Sequence, residues 1–76
     1  MNNKREQFMN DVLELSINSG RVNENAKYIL YSEDSNIEKK KKIQETKENL
    51  KDIVNNVRNI AESLELSIEE ILDLNN

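Results

Sequence analysis

Residues 43–64 read IQETKENLKDIVNNVRNIAESL, and the spacing of their apolar side chains decides the fold class. The apolar positions are Ile43, Leu50, Ile53, Val54, Val57, Ile60, Ala61 and Leu64. Steps of three and four residues place these side chains on one face of an α-helix, whereas a strand would alternate with a period of two. The pattern predicts one long helix from about Ile37 to Leu64.

An N-terminal segment, from about Lys4 to Tyr31, carries a second apolar stripe with the same period. The stripe consists of Phe8, Val12, Leu15, Ser19, Val22, Ala26 and Ile29, and it is widened by Met9, Leu13 and Leu30. It predicts an amphipathic helix with a broad buried face. Gly20 leaves two interpretations open, because glycine is unfavourable inside a helix. Either the segment breaks into two short helices, or it is one helix whose Gly20 lets a partner helix approach closely.

Five polar residues, Ser-Glu-Asp-Ser-Asn, separate the two long segments. Ser, Asp and Asn side chains compete for backbone hydrogen bonds, so the stretch predicts a loop at about residues 32–36. Asp34, Ser35 or Asn36 would cap the helix that follows. We interpret the four lysines at positions 39–42 as a solvated helix face paired with nearby glutamates, in preference to a phosphate contact.

A capping-box pattern marks the start of a third helix. Ser67 is suited to cap it, and Glu70 follows three residues later, as the capping box requires. Leu66 and Ile71 occupy the two positions of a hydrophobic staple around the same cap. The pattern predicts a short helix from about Ile68 to Leu74. The whole chain, residues 1–76, is therefore predicted to be one all-α domain with two long antiparallel helices and a short C-terminal helix.

The composition excludes several classes of functional site. The 76 residues include no Cys, His or Pro, which excludes zinc, haem and iron–sulfur sites, disulfides and catalysis by Cys or His. A metal ion would have to be held by Asp and Glu oxygens. The formal net charge of −4 argues against binding of DNA or RNA, which requires a basic surface.

The chain is too short to enclose a large core by itself. A domain of this length buries only about 60% of its unfolded surface, and small proteins usually gain stability from disulfides, a metal or oligomerisation. We therefore expect a dimer or tetramer, in which two copies form a four-helix bundle. No apolar run is long enough to span a membrane, and residues 1–6 lack the apolar run of a signal peptide, so we expect a cytoplasmic location.

Three stretches of the sequence carry motifs of a known family. Residues 13–22, LELSINSGRV, match Leu-x-Leu-x-Gly-Glu-x-Gly-Glu-Val in part. Residues 48–54, ENLKDIV, are similar to Glu-Glu-Leu-Gly-Asp-Val-Leu, and residues 59–71, NIAESLELSIEEI, to Leu-Ala-x-x-Leu-Gly-Leu-Ser-Leu-Glu-Glu-Val. On these motifs the stretch from Leu13 to Asn75 resembles the MazG-like all-α nucleotide pyrophosphohydrolases. The resemblance implies a MazG-like helical fold that forms a bundle by dimerisation.

The resemblance also implies where the family's metal site would lie. The family holds Mg²⁺ with two acidic pairs, Glu-x-x-Glu and Glu-x-x-Asp, on neighbouring helices. Their positions correspond to Asn18 and Arg21, and to Asn49 and Asp52. Three of the four carboxylates are therefore replaced, one of them by a permanent cation. We expect no catalytic residue and no metal ligand at this degenerate site.

An ion pair is expected in place of the metal. If Arg21 faces Asp52, as the family geometry implies, the two side chains would pair, and Asn18 and Asn49 would satisfy the remaining hydrogen-bonding groups. Such a pair would convert a metal-dependent acidic cluster into a neutral polar layer that is stable without metal. Replacement of Asp52 by Asn would then destabilise the protein, because it leaves Arg21 unpaired.

The leading hypothesis is a catalytically inactive MazG-like protein that binds a protein partner, or a nucleotide without hydrolysing it. It would serve as an inhibitor or regulator encoded by a phage or a mobile element. One alternative is a divergent nucleoside triphosphate pyrophosphohydrolase with a shifted site that uses Glu14 or Glu48, and only this alternative requires Mg²⁺ as a cofactor. The other alternative is a generic helical interaction module whose likeness to the family is coincidental.

Overall fold

The computed structural model describes residues 4–72 of the chain. Within that range the chain forms three helices: α1 at Lys4–Tyr31, α2 at Asn36–Leu64 and α3 at Ile68–Ile71. No strand occurs in residues 4–72, so the prediction of an all-α chain with two long helices and a short third helix is confirmed. The end of the third predicted helix, residues 73 and 74, and the motif residue Asn75 lie outside the described residues.

Gly20 lies in the middle of an uninterrupted α1. The interpretation of two short helices is therefore wrong. A Cβ placed on Gly20 would have nothing within 4 Å, so no other helix among residues 4–72 approaches α1 at this point. If the glycine serves a close approach, the approaching helix must belong to another chain.

The helices α1 and α2 lie side by side as an antiparallel hairpin. Asn18 of α1 bonds Asn56 of α2, while Lys4, fourteen residues earlier, bonds Glu70 near the other end of the chain. The hairpin measures 55 × 17 × 13 Å. Its radius of gyration, 16.9 Å, exceeds the roughly 11 Å expected for a compact chain of this length. None of the helices in residues 4–72 is both long and apolar enough to cross a membrane.

The loop between α1 and α2 is closed by short-range hydrogen bonds. Ser35 is the residue that caps α2, because its hydroxyl accepts the Glu38 N–H at 3.3 Å. The Ser32 hydroxyl accepts the Asp34 N–H at 2.9 Å, and the Tyr28 hydroxyl donates to the Asp34 carboxylate. The bond to Asp34 raises the pKa of Tyr28 above its ordinary value, because it stabilises the protonated phenol.

Two of the four lysines at the start of α2 pair with glutamates of the same helix. Lys41 lies 3.4 Å from a Glu38 oxygen, and Lys42 lies 3.3 Å from a Glu45 oxygen. The ammonium group of Lys42 also lies 5.6 Å from the centroid of the Tyr28 ring, close enough for a cation–π contact. These contacts agree with the interpretation of the lysine run as a solvated, paired helix face.

Two side chains from outside the third helix, Ser67 and Lys4, bond its residue Glu70. Ser67 caps it: the hydroxyl accepts the Glu70 N–H at 3.3 Å and donates to Glu70 Oε1 at 3.2 Å. Lys4 Nζ donates to Glu70 Oε2 at 2.8 Å and so ties α1 to α3. This bond lowers the pKa of Glu70 below its ordinary value. The tie therefore contributes at neutral pH and is lost as the pH falls through the lowered pKa.

The side chains buried between α1 and α2 are polar. Asp11, Asn18 and Asn25 recur every seven residues along α1, and Asn56 of α2 bonds Asn18; we call these four residues the polar seam. No hydrophobic side chain in residues 4–72 is buried. The predicted face of α1 is only half-buried in a single chain, at Phe8, Val12, Leu15, Val22, Ala26 and Ile29. Each long helix of residues 4–72 has one long neighbour, and the polar seam lies within that contact.

Candidate functional site

The two sides of the polar seam carry different residues. A helix turns by about 100° per residue. The residue one position after a seam residue therefore lies on one side of the seam. The residue three positions after it has turned by about 300°, which is about 60° to the other side. One position after Asn56 comes Val57, whereas three positions after it comes Asn59. Three positions after Asp11 comes Glu14. One side of the hairpin is thus apolar and the other is polar.

We call the apolar side the apolar face. Its exposed residues are Ile43, Leu50, Val54, Val57 and Leu64 of α2. From α1, the half-buried Val12 and Leu15, one and four positions after Asp11, lie on the same side. Four of the five α2 residues, Ile43, Leu50, Val57 and Leu64, recur every seven positions. Seven residues are close to two helical turns, so these side chains form one row along α2. A row of this kind is the pattern with which one helix packs against another.

On the polar side, a cavity of about 490 Å³ opens between α1 and α2. Three of the four positions singled out by the family resemblance, Asn18, Arg21 and Asp52, line it. The fourth, Asn49, lines a neighbouring cavity of about 430 Å³ that Arg21 shares. The structure therefore brings the four positions to one stretch of the seam, although their motifs lie about thirty residues apart in the sequence.

A chain of side-chain hydrogen bonds crosses this cavity. Asn18 Nδ2 donates to Asn56 Oδ1 at 3.1 Å, and Asn56 Nδ2 donates to Glu14 Oε2 at 3.1 Å. Asn56 is 4% exposed, the most buried residue of the described range. The motif comparison did not single out Asn56. Asn56 lies seven residues after Asn49, and this spacing could have identified it from the sequence. Residues seven positions apart lie on the same side of a helix, here the side facing α1.

Arg21 and Asp52 line the same cavity, and both side chains are exposed. The ion pairs formed by residues 4–72 do not include one between them. Their pairing stays a prediction. In solvent such a pair contributes at most about 1 kcal/mol, so its effect on folding would be small even when it forms.

Asp11 is the second residue that the motifs did not single out. It is 8% exposed, and its Oδ2 atom is buried without a hydrogen-bond partner among residues 4–72. The side chain lies at the junction of the 490 Å³ cavity and a smaller one of about 210 Å³. A buried carboxylate oxygen without a partner costs free energy, so this position is unfavourable unless something else binds it.

The residues at this site do not fit the Mg²⁺ ion of the family. Magnesium requires oxygen ligands that converge at about 2.0–2.1 Å in an octahedron. Within residues 4–72 no three acidic side chains come together closely enough to hold a metal ion. The amides of Asn18 and Asn56 bond each other, and the guanidinium of Arg21 would repel a divalent cation. We therefore derive no reaction step through a metal.

Comparison with known proteins adds no relative: no family model matches the chain, and no curated protein or solved structure is significantly similar to it. What this site does must therefore be argued from its own residues. The likeness to the MazG-like proteins stays a resemblance of motifs.

Proposed function

We propose that this protein is a catalytically inactive, MazG-like helical scaffold that works as a homodimer and acts by binding. The observation that carries the proposal is the exposed apolar face. Thirteen large hydrophobic side chains are exposed in residues 4–72 and none is buried, which is the reverse of a stable monomer. A second copy of the chain offers the same face and so covers it symmetrically.

The exposed area agrees with this arrangement. The accessible surface of the chain is 5884 Å², whereas a compact monomer of 8.9 kDa would expose roughly 4800 Å². The excess, about 1000 Å², is close to the roughly 800 Å² that each partner buries in a standard protein interface. Two hairpins packed through their apolar faces would form a four-helix bundle with the apolar side chains inside.

The polar cavity supports a binding role without hydrolysis. Where the family has carboxylates to hold its metal, this chain has two amides and a guanidinium, and Asn18 is bonded to Asn56. The cavity lies on the side of the hairpin away from the apolar face, so dimerisation leaves it open. A ligand can therefore enter it in the assembled protein. Its occupant is a protein side chain or a small molecule, such as a nucleotide that is held without being cleaved.

Two measurements test this proposal. Light scattering coupled to size-exclusion chromatography should give twice the chain mass of 8.9 kDa. Incubation with a panel of nucleoside triphosphates and Mg²⁺ or Mn²⁺ should release no pyrophosphate above the protein-free control. A monomer at micromolar concentration would contradict the dimer, and pyrophosphate release would instead favour the divergent pyrophosphohydrolase.

A repaired variant provides the matched control for the activity assay. The triple change Asn18→Glu, Arg21→Glu and Asn49→Glu restores the acidic pairs that the resemblance implies. If the chain has the MazG-like arrangement, this variant should bind Mg²⁺ in calorimetry while the unmodified protein should not. Equal behaviour of the two proteins would count against the family resemblance and favour a generic helical interaction module.

A further inference from the structure

We propose that the cavity of about 430 Å³ binds a carboxamide group through the side-chain amides of Asn25 and Asn49, which line it from α1 and α2. Asn25 is 9% exposed, yet its amide has no hydrogen-bond partner among residues 4–72. Unlike Asp11 Oδ2, the amide atoms of Asn25 are not fully occluded, so a ligand in the cavity can reach them. A buried amide without a partner costs free energy, which a ligand that bonds it would recover.

Two neighbouring layers of the contact between α1 and α2 differ in their hydrogen bonds. Asn25 lies seven residues after Asn18 on α1, and on α2 Asn49 lies seven residues before Asn56. Because the helices are antiparallel and seven residues are close to two turns, this spacing places Asn25 opposite Asn49, one layer along the hairpin. In the first layer the two amides bond each other, Asn18 Nδ2 to Asn56 Oδ1 at 3.1 Å. In the second layer neither amide has a partner among residues 4–72, and the cavity lies beside them.

A carboxamide has the hydrogen-bonding groups that these two amides require. Each asparagine amide offers two N–H donors and one oxygen acceptor. A ligand that bonds both amides through all of their groups must therefore both donate and accept, which a carboxamide does with its own NH₂ group and oxygen. The bond between Asn18 and Asn56 is an amide pair of the same kind. A carboxamide held between Asn25 and Asn49 would repeat that pairing in the second layer.

The charges that line the cavity favour a neutral ligand. The guanidinium of Arg21 and the ammonium of Lys42 line it, and so do two carboxylates. Of these carboxylates, Glu45 lies 3.3 Å from Lys42, and Glu48 accepts a hydrogen bond from Gln44 at 3.1 Å. The charges therefore balance, and neither an anion nor a cation gains a net attraction. The N–H groups of Arg21 add donors for the oxygen of a neutral carboxamide.

The site rests on the proposed binding role of the polar side and names the chemistry of one ligand. Its volume lies within the range typical of small-molecule sites, about 300–1000 Å³. The same chemistry has two sources: a free primary amide, and the Gln or Asn side chain of a bound peptide. Propionamide serves as the probe for the free amide, and glutamine capped with acetyl and N-methylamide groups serves as the probe for the side chain.

Titration of the full-length, isotope-labelled chain with each probe tests the site by proton–nitrogen NMR, which records the asparagine NH₂ groups directly. We expect the NH₂ signals of Asn25 and Asn49 to shift saturably. Propionate has nearly the same size but no N–H donor, so it should bind at least tenfold more weakly than propionamide. A capped glutamine that binds at least tenfold more tightly than propionamide would identify a peptide side chain as the source, and equal binding would identify a free amide.

Asn25→Leu should weaken binding of the probe at least tenfold, because leucine keeps a branched shape but has no donor or acceptor. Asn49→Leu should weaken it at least threefold and provides the second test if Asn25→Leu folds poorly. Asn23→Leu is the matched control, since it makes the same change at an exposed position of α1 outside the cavity. That control should bind within twofold of the unmodified protein.

Three results would overturn the site: no saturable shift with either carboxamide, propionate binding as tightly as propionamide, or equal affinity in the leucine variants at positions 23, 25 and 49. Each of these results leaves the dimer and the absence of pyrophosphate release as they are. Conversely, a monomer in light scattering or pyrophosphate release would contradict the proposed scaffold without removing the carboxamide site.

Discussion

The polar seam and the apolar face divide the hairpin between two kinds of interaction. The buried side chains of residues 4–72 are Asp11, Asn18, Asn25 and Asn56, while the aliphatic row of α2 is exposed. In most small proteins the apolar residues would fill the contact between the helices. The two faces therefore differ in chemistry, with hydrogen-bonding side chains between the helices and aliphatic side chains on the outside. The Asn18–Asn56 amide pair favours one alignment of α1 against α2, and the apolar face would supply the area for the proposed dimer.

The largest expected effect comes from placing a charge on the apolar face. Leu50→Lys puts an ammonium group in the middle of the aliphatic row, where the proposed dimer would bury it. Burial of a leucine contributes about 1.5–3 kcal/mol, and a symmetric dimer contains two copies, so about 3–6 kcal/mol would be lost. We expect dimer dissociation to increase at least a hundredfold. Sedimentation over a range of concentrations measures this change.

Gln44→Lys is the control for that experiment. It adds the same charge to an exposed residue of α2 outside the apolar face. The new lysine lies four residues before Glu48, so it would also keep a favourable pair on the helix surface. The control should remain a dimer. If Leu50→Lys and Gln44→Lys dissociate alike, or if neither does, the apolar face is not the contact between copies.

A smaller effect on stability is expected from removing an amide of the polar seam. Asn56→Ala removes the partner of Asn18 and of Glu14 together and leaves a buried amide donor unpaired. We expect the free energy of unfolding to fall by about 1–3 kcal/mol. Urea denaturation measures it. Replacement of both amides, Asn18→Leu with Asn56→Leu, should restore most of the loss, because two apolar side chains then meet in the same space.

Asn23→Ala serves as the reference for these seam variants, since Asn23 is exposed on α1 and outside the seam. It should change stability only slightly, through the higher helix propensity of alanine. If Asn56→Ala is as mild as this reference, the amide contacts contribute nothing to the register. A double leucine variant that folds into a different oligomer would instead show that the amides specify the assembly.

The helices could be predicted from the sequence, but the residues that are buried between them could not. The apolar period and the Ser67 cap place the helices, because both depend on residues close in sequence. The burial rule pointed to the apolar stripe as the contact face, but the stripe is only half-buried, and the two most buried residues are Asn56 and Asn18. That outcome depends on hydrogen bonds between residues 38 positions apart. Asp11 was missed for the same reason, since only the folded hairpin shows that its Oδ2 is buried without a hydrogen-bond partner among residues 4–72.

Gly20→Ala should have the next largest effect, and it tests which surface of α1 would contact the second copy. Alanine is favoured over glycine inside a helix by about 1 kcal/mol, and the added Cβ meets nothing within 4 Å in the chain. We expect the free energy of unfolding to rise by about 1 kcal/mol with the dimer intact. Thermal denaturation and sedimentation together measure this. A weaker dimer would place a partner helix against Gly20 and extend the contact onto the back of α1.

The smallest effect is expected for the two charges on the polar side. Asp52→Asn removes a carboxylate that is exposed and near Arg21, so the loss of stability should stay below about 1 kcal/mol and shrink further in high salt. A double-mutant cycle with Arg21→Gln isolates the interaction between the two side chains from their separate effects. A coupling well above 1 kcal/mol would mean that the pair is shielded from solvent and that the polar side also holds the hairpin together. A coupling near zero would mean that the two charges do not stabilise the hairpin, as expected of a surface that binds a ligand.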